Sequence, residues 1–146
     1  MEREHEEAMR VDFDRHADLS DQRETGVTHP DSTMTEEQLD AISAQQQELE
    51  RRWTGGPHAE HWEYLSDAHQ DWHHAPDTMR RFAENIAHNG DSFITDIEAR
   101  SQGQAGDLYA RTCKRRQAVQ TEVRARREAA KAARSQPARG GVERSR

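Results

Sequence analysis

Aliphatic side chains, cysteine pairs and long apolar runs are what this 146-residue chain has least of. Leu, Ile, Val and Phe together make seventeen residues, about 12% of the chain, below the roughly 20% under which disorder becomes the default expectation. One domain at most can be built from them, and most fall between residues 39 and 97, so a core is expected there. Cys113 is the single cysteine, which excludes an intramolecular disulfide and a thiolate metal cluster. No apolar run approaches the roughly 20 residues needed to cross a bilayer, which excludes membrane insertion by a helix. Met1-Glu2-Arg3-Glu4-His5-Glu6-Glu7 lacks the basic start and apolar stretch of a signal peptide. Cytoplasmic residence is the expectation, and export would need a route that reads no N-terminal signal.

Catalytic equipment is also missing. The few serines lack a strand-turn-helix setting, Gly55-Gly56 follows a helix without a phosphate-loop lysine, and Cys113 has no base placed beside it by spacing. The expectation is a non-enzymatic protein without a cofactor.

What the chain does have is charge, divided along its length. Residues 111–146 hold twelve Arg or Lys against three Glu, a net of +9, which leaves −16 for residues 1–110 within the total of −7. Such asymmetry bears on partners and encounter rates and does not identify a fold.

Its large apolar residues follow a helical period. Leu39, Ile42, Leu49 and Trp53 share one helical face, and after a break at Trp53-Thr54-Gly55-Gly56-Pro57 the residues Leu65, Trp72, Met79, Ile86 and Phe93 recur every seven positions. Trp62, Ala68, Ala75 and Phe82 fill places three or four away. A heptad seam of this kind requires another helix to cover it. Thr33 with Glu36, or Thr35 with Gln38, supplies a capping box at the start of the first helix. Gly55-Gly56 ends that helix, Pro57 suits the first position of the next, and so short a break predicts an antiparallel hairpin. Pro76 predicts a kink or restart in the second arm, with the pieces roughly collinear, and Asn89-Gly90 is a further stop.

The fold expected is therefore all-α. Residues 1–31 form an acidic, mobile or loosely helical segment, because Met9, Phe13 and Ala17 give little burial to offset roughly 1–2 kcal/mol of backbone entropy per ordered residue. Residues 32–100 form the helical hairpin, 101–106 a Gly- and Gln-containing linker, 107–134 a basic helix capped by Asp107, and 135–146 a disordered tail.

Trp53-Thr54-Gly55, set between a capped helix and a second helix with regularly spaced large residues, resembles the WxG family of helical-hairpin proteins exported by bacterial type VII secretion systems. The resemblance covers roughly residues 35–98. It implies that Trp53 and Gly55 hold the hairpin turn and that the arms dimerise into a four-helix bundle. The chain departs from the family pattern at Pro76. It also departs in its late export signal, since Phe93 stands in place of a tyrosine and Ile97 in place of the following acid.

Two sets of residues are candidates for function. The interface set is Trp53, Gly55, Trp62, Leu65, Trp72, Met79, Phe82, Ile86 and Phe93, meeting a second copy or another helical protein. The polyanion set is Arg111, Lys114, Arg115, Arg116, Arg124, Arg126 and Arg127, whose planar forks suit nucleic-acid phosphates, with Tyr109 alone able to stack on a base. His58, His61, His69, His73 and His74 lie within seventeen residues, and His69 and His73 share a helical face. No third ligand is fixed by spacing, so no metal site is expected and the plainer reading is solvated histidines on an acidic face. Several histidines beside carboxylates would gain charge between about pH 7 and 5.

Overall fold

The computed structural model describes residues 1–29, 31–89 and 93–135, and these are all-α, in five helices without a strand. Residues 136–146, expected to be disordered, lie outside them, as does Gly90 of the predicted Asn89-Gly90 stop. The chain divides into two units, Met1–Thr112 and Cys113–Arg146.

In the first unit, α1 (Arg3–Thr28) is a continuous helix of 26 residues, where a mobile or loosely helical segment was expected. Met9, Phe13, Ala17 and Leu19 are buried along it. Three or four apolar residues cannot stabilise an isolated helix, but tertiary cover supplies what propensity lacks. Phe13 packs edge-on against Trp62, with ring centroids 5.1 Å apart, and against His69 at 5.7 Å.

α2 (Glu36–Thr54) begins where Thr35 accepts from the Gln38 backbone N–H and the Gln38 side chain accepts from that of Thr35, so the second of the two capping boxes is the one used. It runs antiparallel to α1. Asp12 accepts from Arg52 and from the Trp53 indole at 2.9 and 2.8 Å, Glu50 meets His16 at 2.7 Å, and Gln46 donates to Ser20.

α3 (Ala59–His74) follows a short turn, and Trp53 stacks on Trp62 across it with planes 6° apart. Pro76 then restarts the helix as α4 (Pro76–Asn89). The two do not continue collinearly. Gln102 donates to Tyr64 and the Trp72 ring lies against Gly106, so the last helix is parallel to α3 and the chain must first return along it. α4, 14 residues and about 21 Å long, makes that return.

α5 (Asp96–Ser135) starts eleven residues before the predicted position and passes through the predicted linker. Its true cap is Thr95, which donates its backbone N–H to Glu98 and accepts from the Glu98 N–H. Ser101, Gln102 and Ala105 are buried in its first turns. Gly106 is there for close approach, since a Cβ at that position would stand 2.9 Å from the Trp72 ring.

Candidate functional site

Most of the predicted interface set is covered by the chain itself. Leu65, Trp62 and Trp72 are 0%, 3% and 8% exposed, and Trp53 and Met79 are also buried. The seam on α3 was expected to wait, partly wet, for a partner helix. α1 supplies Met9 and Phe13 to its core and α5 supplies Ala105 and Leu108, so the cover comes from the segments expected to be a mobile or loosely helical N-terminus, a linker and the start of the basic helix. What remains open is the seam beyond Met79. Phe82 and Ile86 are half-buried and Phe93 is 48% exposed, with the Phe82 and Phe93 rings 5.9 Å apart.

At the turn, the Trp53 indole donates to Asp12 of α1. Gly55 sits at φ −87°, ψ −2°, a conformation open to any residue, and its N–H donates to the Arg51 carbonyl while that of Gly56 donates to the Trp53 carbonyl. Backbone conformation therefore gives Gly55 no special role, although a Cβ there would stand 3.2 Å from the Arg51 carbonyl oxygen.

Sequence reading missed a polar ladder between α1 and α5. Glu6, 7% exposed, accepts two hydrogen bonds from Arg100 at 2.6 and 2.7 Å and one from Arg10 at 2.9 Å. The Arg100 fork, with Arg10 beside it, holds the Glu6 carboxyl down at about 2. Arg10 also donates to Ser101, Gln104 and the Ile97 carbonyl, Gln104 donates to Asp14, Arg111 to Asp18 and Thr112 to Asp21. Acids at 6, 14, 18 and 21 thus meet α5 in parallel register. The spacing of Glu6, Asp14 and Asp18 was the available signal, and only knowledge of the facing helix makes it legible. A groove lined by Arg10, Asp14, Arg100, Gln104, Asp107 and Arg111 follows this ladder, with Arg10, Asp14, Arg100 and Arg111 already engaged in its hydrogen bonds.

The histidines do not form one cluster. His58 lies by His5, with ring centroids 5.0 Å apart, near the α2–α3 turn. His69 and His73 face each other with one Nε2 donating to the other at 3.3 Å. Burial, with His73 alongside, depresses His69 to about 4. Among the described residues no group of three or more His, Cys, Asp or Glu side chains is placed to hold a metal. Among the same residues no helix is long and apolar enough to cross a membrane.

The polyanion set divides. Arg111 belongs to the first unit and is paired with Asp18, and Tyr109 packs against Trp72 and His73 at 5.8 and 5.2 Å, where it cannot stack on a base. Arg126 donates to Glu122 at 2.6 Å, and Arg115 and Arg116 are engaged within the chain. Lys114, Arg124 and Arg127 stand exposed on residues 113–135 of α5, a stretch in which no residue is buried. Lys131 and Arg134, absent from the predicted set, are exposed there too.

The chain matches no protein-family model, no curated protein and no solved structure. What the fold defines is a class: an all-α protein whose polar chemistry in the first unit joins helix to helix.

Proposed function

We propose that this chain is a non-enzymatic interaction protein that pairs with a helical partner, first of all a second copy of itself, through the open end of the seam on α4. The observation that carries the reading is the contrast along that seam: Trp62, Leu65 and Trp72 are sealed within the chain, whereas Phe82, Ile86 and Phe93 are left incompletely covered. Large side chains left wet at heptad spacing are what a facing helix buries, at roughly 25 cal/mol per Å² of apolar surface removed from water. The non-enzymatic reading is supported by the ladder acids and arginines, which are spent on one another and on structural contacts.

The Trp53-Thr54-Gly55 turn supports placing the chain beside WxG-like secreted or secretion-associated proteins. On that view it resides in the cytoplasm and leaves by a signal-independent route. Its own α1 already covers Trp53 and Trp62 of the two arms, which leaves α4 as the pairing face.

Light scattering across a concentration series tests the pairing. The intact chain should dimerise, and Phe82→Ser with Phe93→Ser should leave a monomer of unchanged helicity by circular dichroism. A monomer at every concentration for the intact chain overturns pairing with itself.

A further inference from the structure

We infer that residues 113–135 of α5 carry a phosphate-binding stripe for double-stranded nucleic acid, made by Arg124, Arg127, Lys131 and Arg134. These four stand at i, i+3, i+7 and i+10, which on a helix of 3.6 residues per turn confines them to about 80° of the circumference. All four are exposed, and none has a side-chain partner among the described residues. The stretch 113–135 holds eight basic residues against two acidic, a net of +6, and buries no side chain in a core. The charge of the four stripe residues is therefore not consumed by folding, unlike that of Arg100 or Arg111 in the first unit or of Arg115, Arg116 and Arg126 in the same stretch.

The geometry favours a linear polyanion. Four cations spread over about 15 Å of helix axis meet a duplex that offers one phosphate per 3.4 Å of axis on each strand. Arg116 and Gln120 extend the same arc towards the start of the stretch, and between residues 114 and 134 no apolar side chain falls inside it. A membrane-surface helix needs a continuous apolar face opposite its cations, and the side of the helix opposite this stripe carries Arg115, Glu122 and Arg126 among its alanines. Three of the four cations are arginines, whose forks each donate two parallel hydrogen bonds to phosphate oxygens. With no base-stacking aromatic on the stretch, contacts reach the backbone alone and binding is independent of sequence. The first unit, at a net of −15 across residues 1–112, repels the same ligand and keeps it to the stripe.

The test uses the full chain and a short fluorescein-labelled DNA duplex of arbitrary sequence, with affinity read by anisotropy as salt is raised. Releasing about four counterions gives a log–log slope near −3.6, or roughly a 150-fold loss of affinity between about 50 and 200 mM salt. Arg124, Arg127, Lys131 and Arg134 all changed to Gln, which keeps helix propensity, should abolish that salt dependence while circular dichroism stays unchanged. Glu128→Gln removes the acid beside the stripe and should tighten binding two- to threefold, a second readout that does not depend on the fourfold variant folding. Failure to bind at low salt, a slope unaltered by the fourfold change, or a salt-sensitive dimer that the duplex does not disrupt would each overturn the proposal. The last outcome would assign the stripe to the acidic unit of a second copy.

Discussion

Changing Glu6 to Gln keeps the shape of a buried side chain and removes the charge on which Arg10 and Arg100 converge. The size of the effect follows from the carboxyl itself, held at about 2 against an ordinary 4.5. That difference corresponds to roughly 3 kcal/mol favouring the folded state when the group is ionised, at about 1.4 kcal/mol per unit. Arg100 is 52% exposed, so water shares in its solvation, and a loss nearer 2 kcal/mol is expected at pH 7. The pH dependence gives the sharper criterion. Because the folded value is depressed, the stabilisation is complete above the unfolded value and is lost as pH falls from about 5 towards 2, where the unfolded chain takes up its proton first. Glutamine does not titrate, so the gap between the two proteins should narrow steadily over that range. Urea unfolding followed by fluorescence of the three buried tryptophans, at pH 7 and stepwise down to pH 3, measures it directly. A penalty below about 0.5 kcal/mol at pH 7, or one that does not change with pH, would refute the ladder as the bond between α1 and α5.

Two glycines in α5 give a test of opposite signs. Gly103→Ala meets nothing within 4 Å and should raise stability by about 0.5–1 kcal/mol, whereas Gly106→Ala brings a Cβ to 2.9 Å from the Trp72 ring and should lower the melting temperature. Equal signs in thermal unfolding would contradict the α3–α5 packing. His69, held at about 4 by burial and by His73, stabilises the fold fully above about pH 6.5 and loses that contribution as pH falls towards 4, because the unfolded chain binds the proton first. His69→Gln should flatten the stability profile across that window, and an unchanged profile would remove His69 as its cause.

The sequence announces those features whose signals are local. Thr35 with Gln38 starts α2, the Gly-Gly-Pro break separates α2 from α3, and Pro76 restarts the chain as α4, because each acts through its own turn. The heptad residues from Leu65 to Met79 are buried on one edge as their spacing requires. Gly103 and Gly106 misled for a related reason. Two glycines in six residues look like a linker until the Trp72 ring shows that one of them makes room for a tertiary contact. The better signal stood a few residues earlier in Thr95-Asp96-Ile97-Glu98, a capping box in plain sequence that fixes where α5 begins.

The deeper reason the candidate sites were only partly legible is that a seam states its need for a helix without saying whose helix it is. Leu65, Trp62 and Trp72 called for cover, and self-association follows only if the rest of the chain has none to give. Composition argued that α1 had none, since acids outnumber its apolar residues and hydrophobic burial alone does not order it. The acids are themselves part of the cover. Glu6, Asp14 and Asp18 face Arg100, Gln104 and Arg111 beside the apolar line of Met9, Phe13 and Ala17, so one helix presents an apolar edge to α3 and a charged edge to α5. Neither edge is strong alone, and a sequence window that weighs them separately finds disorder. The same reasoning reverses at the other end of the chain: once the facing acids have claimed Arg100 and Arg111, the basic residues that follow Cys113 can be sorted into those spent on the fold and those left for a partner.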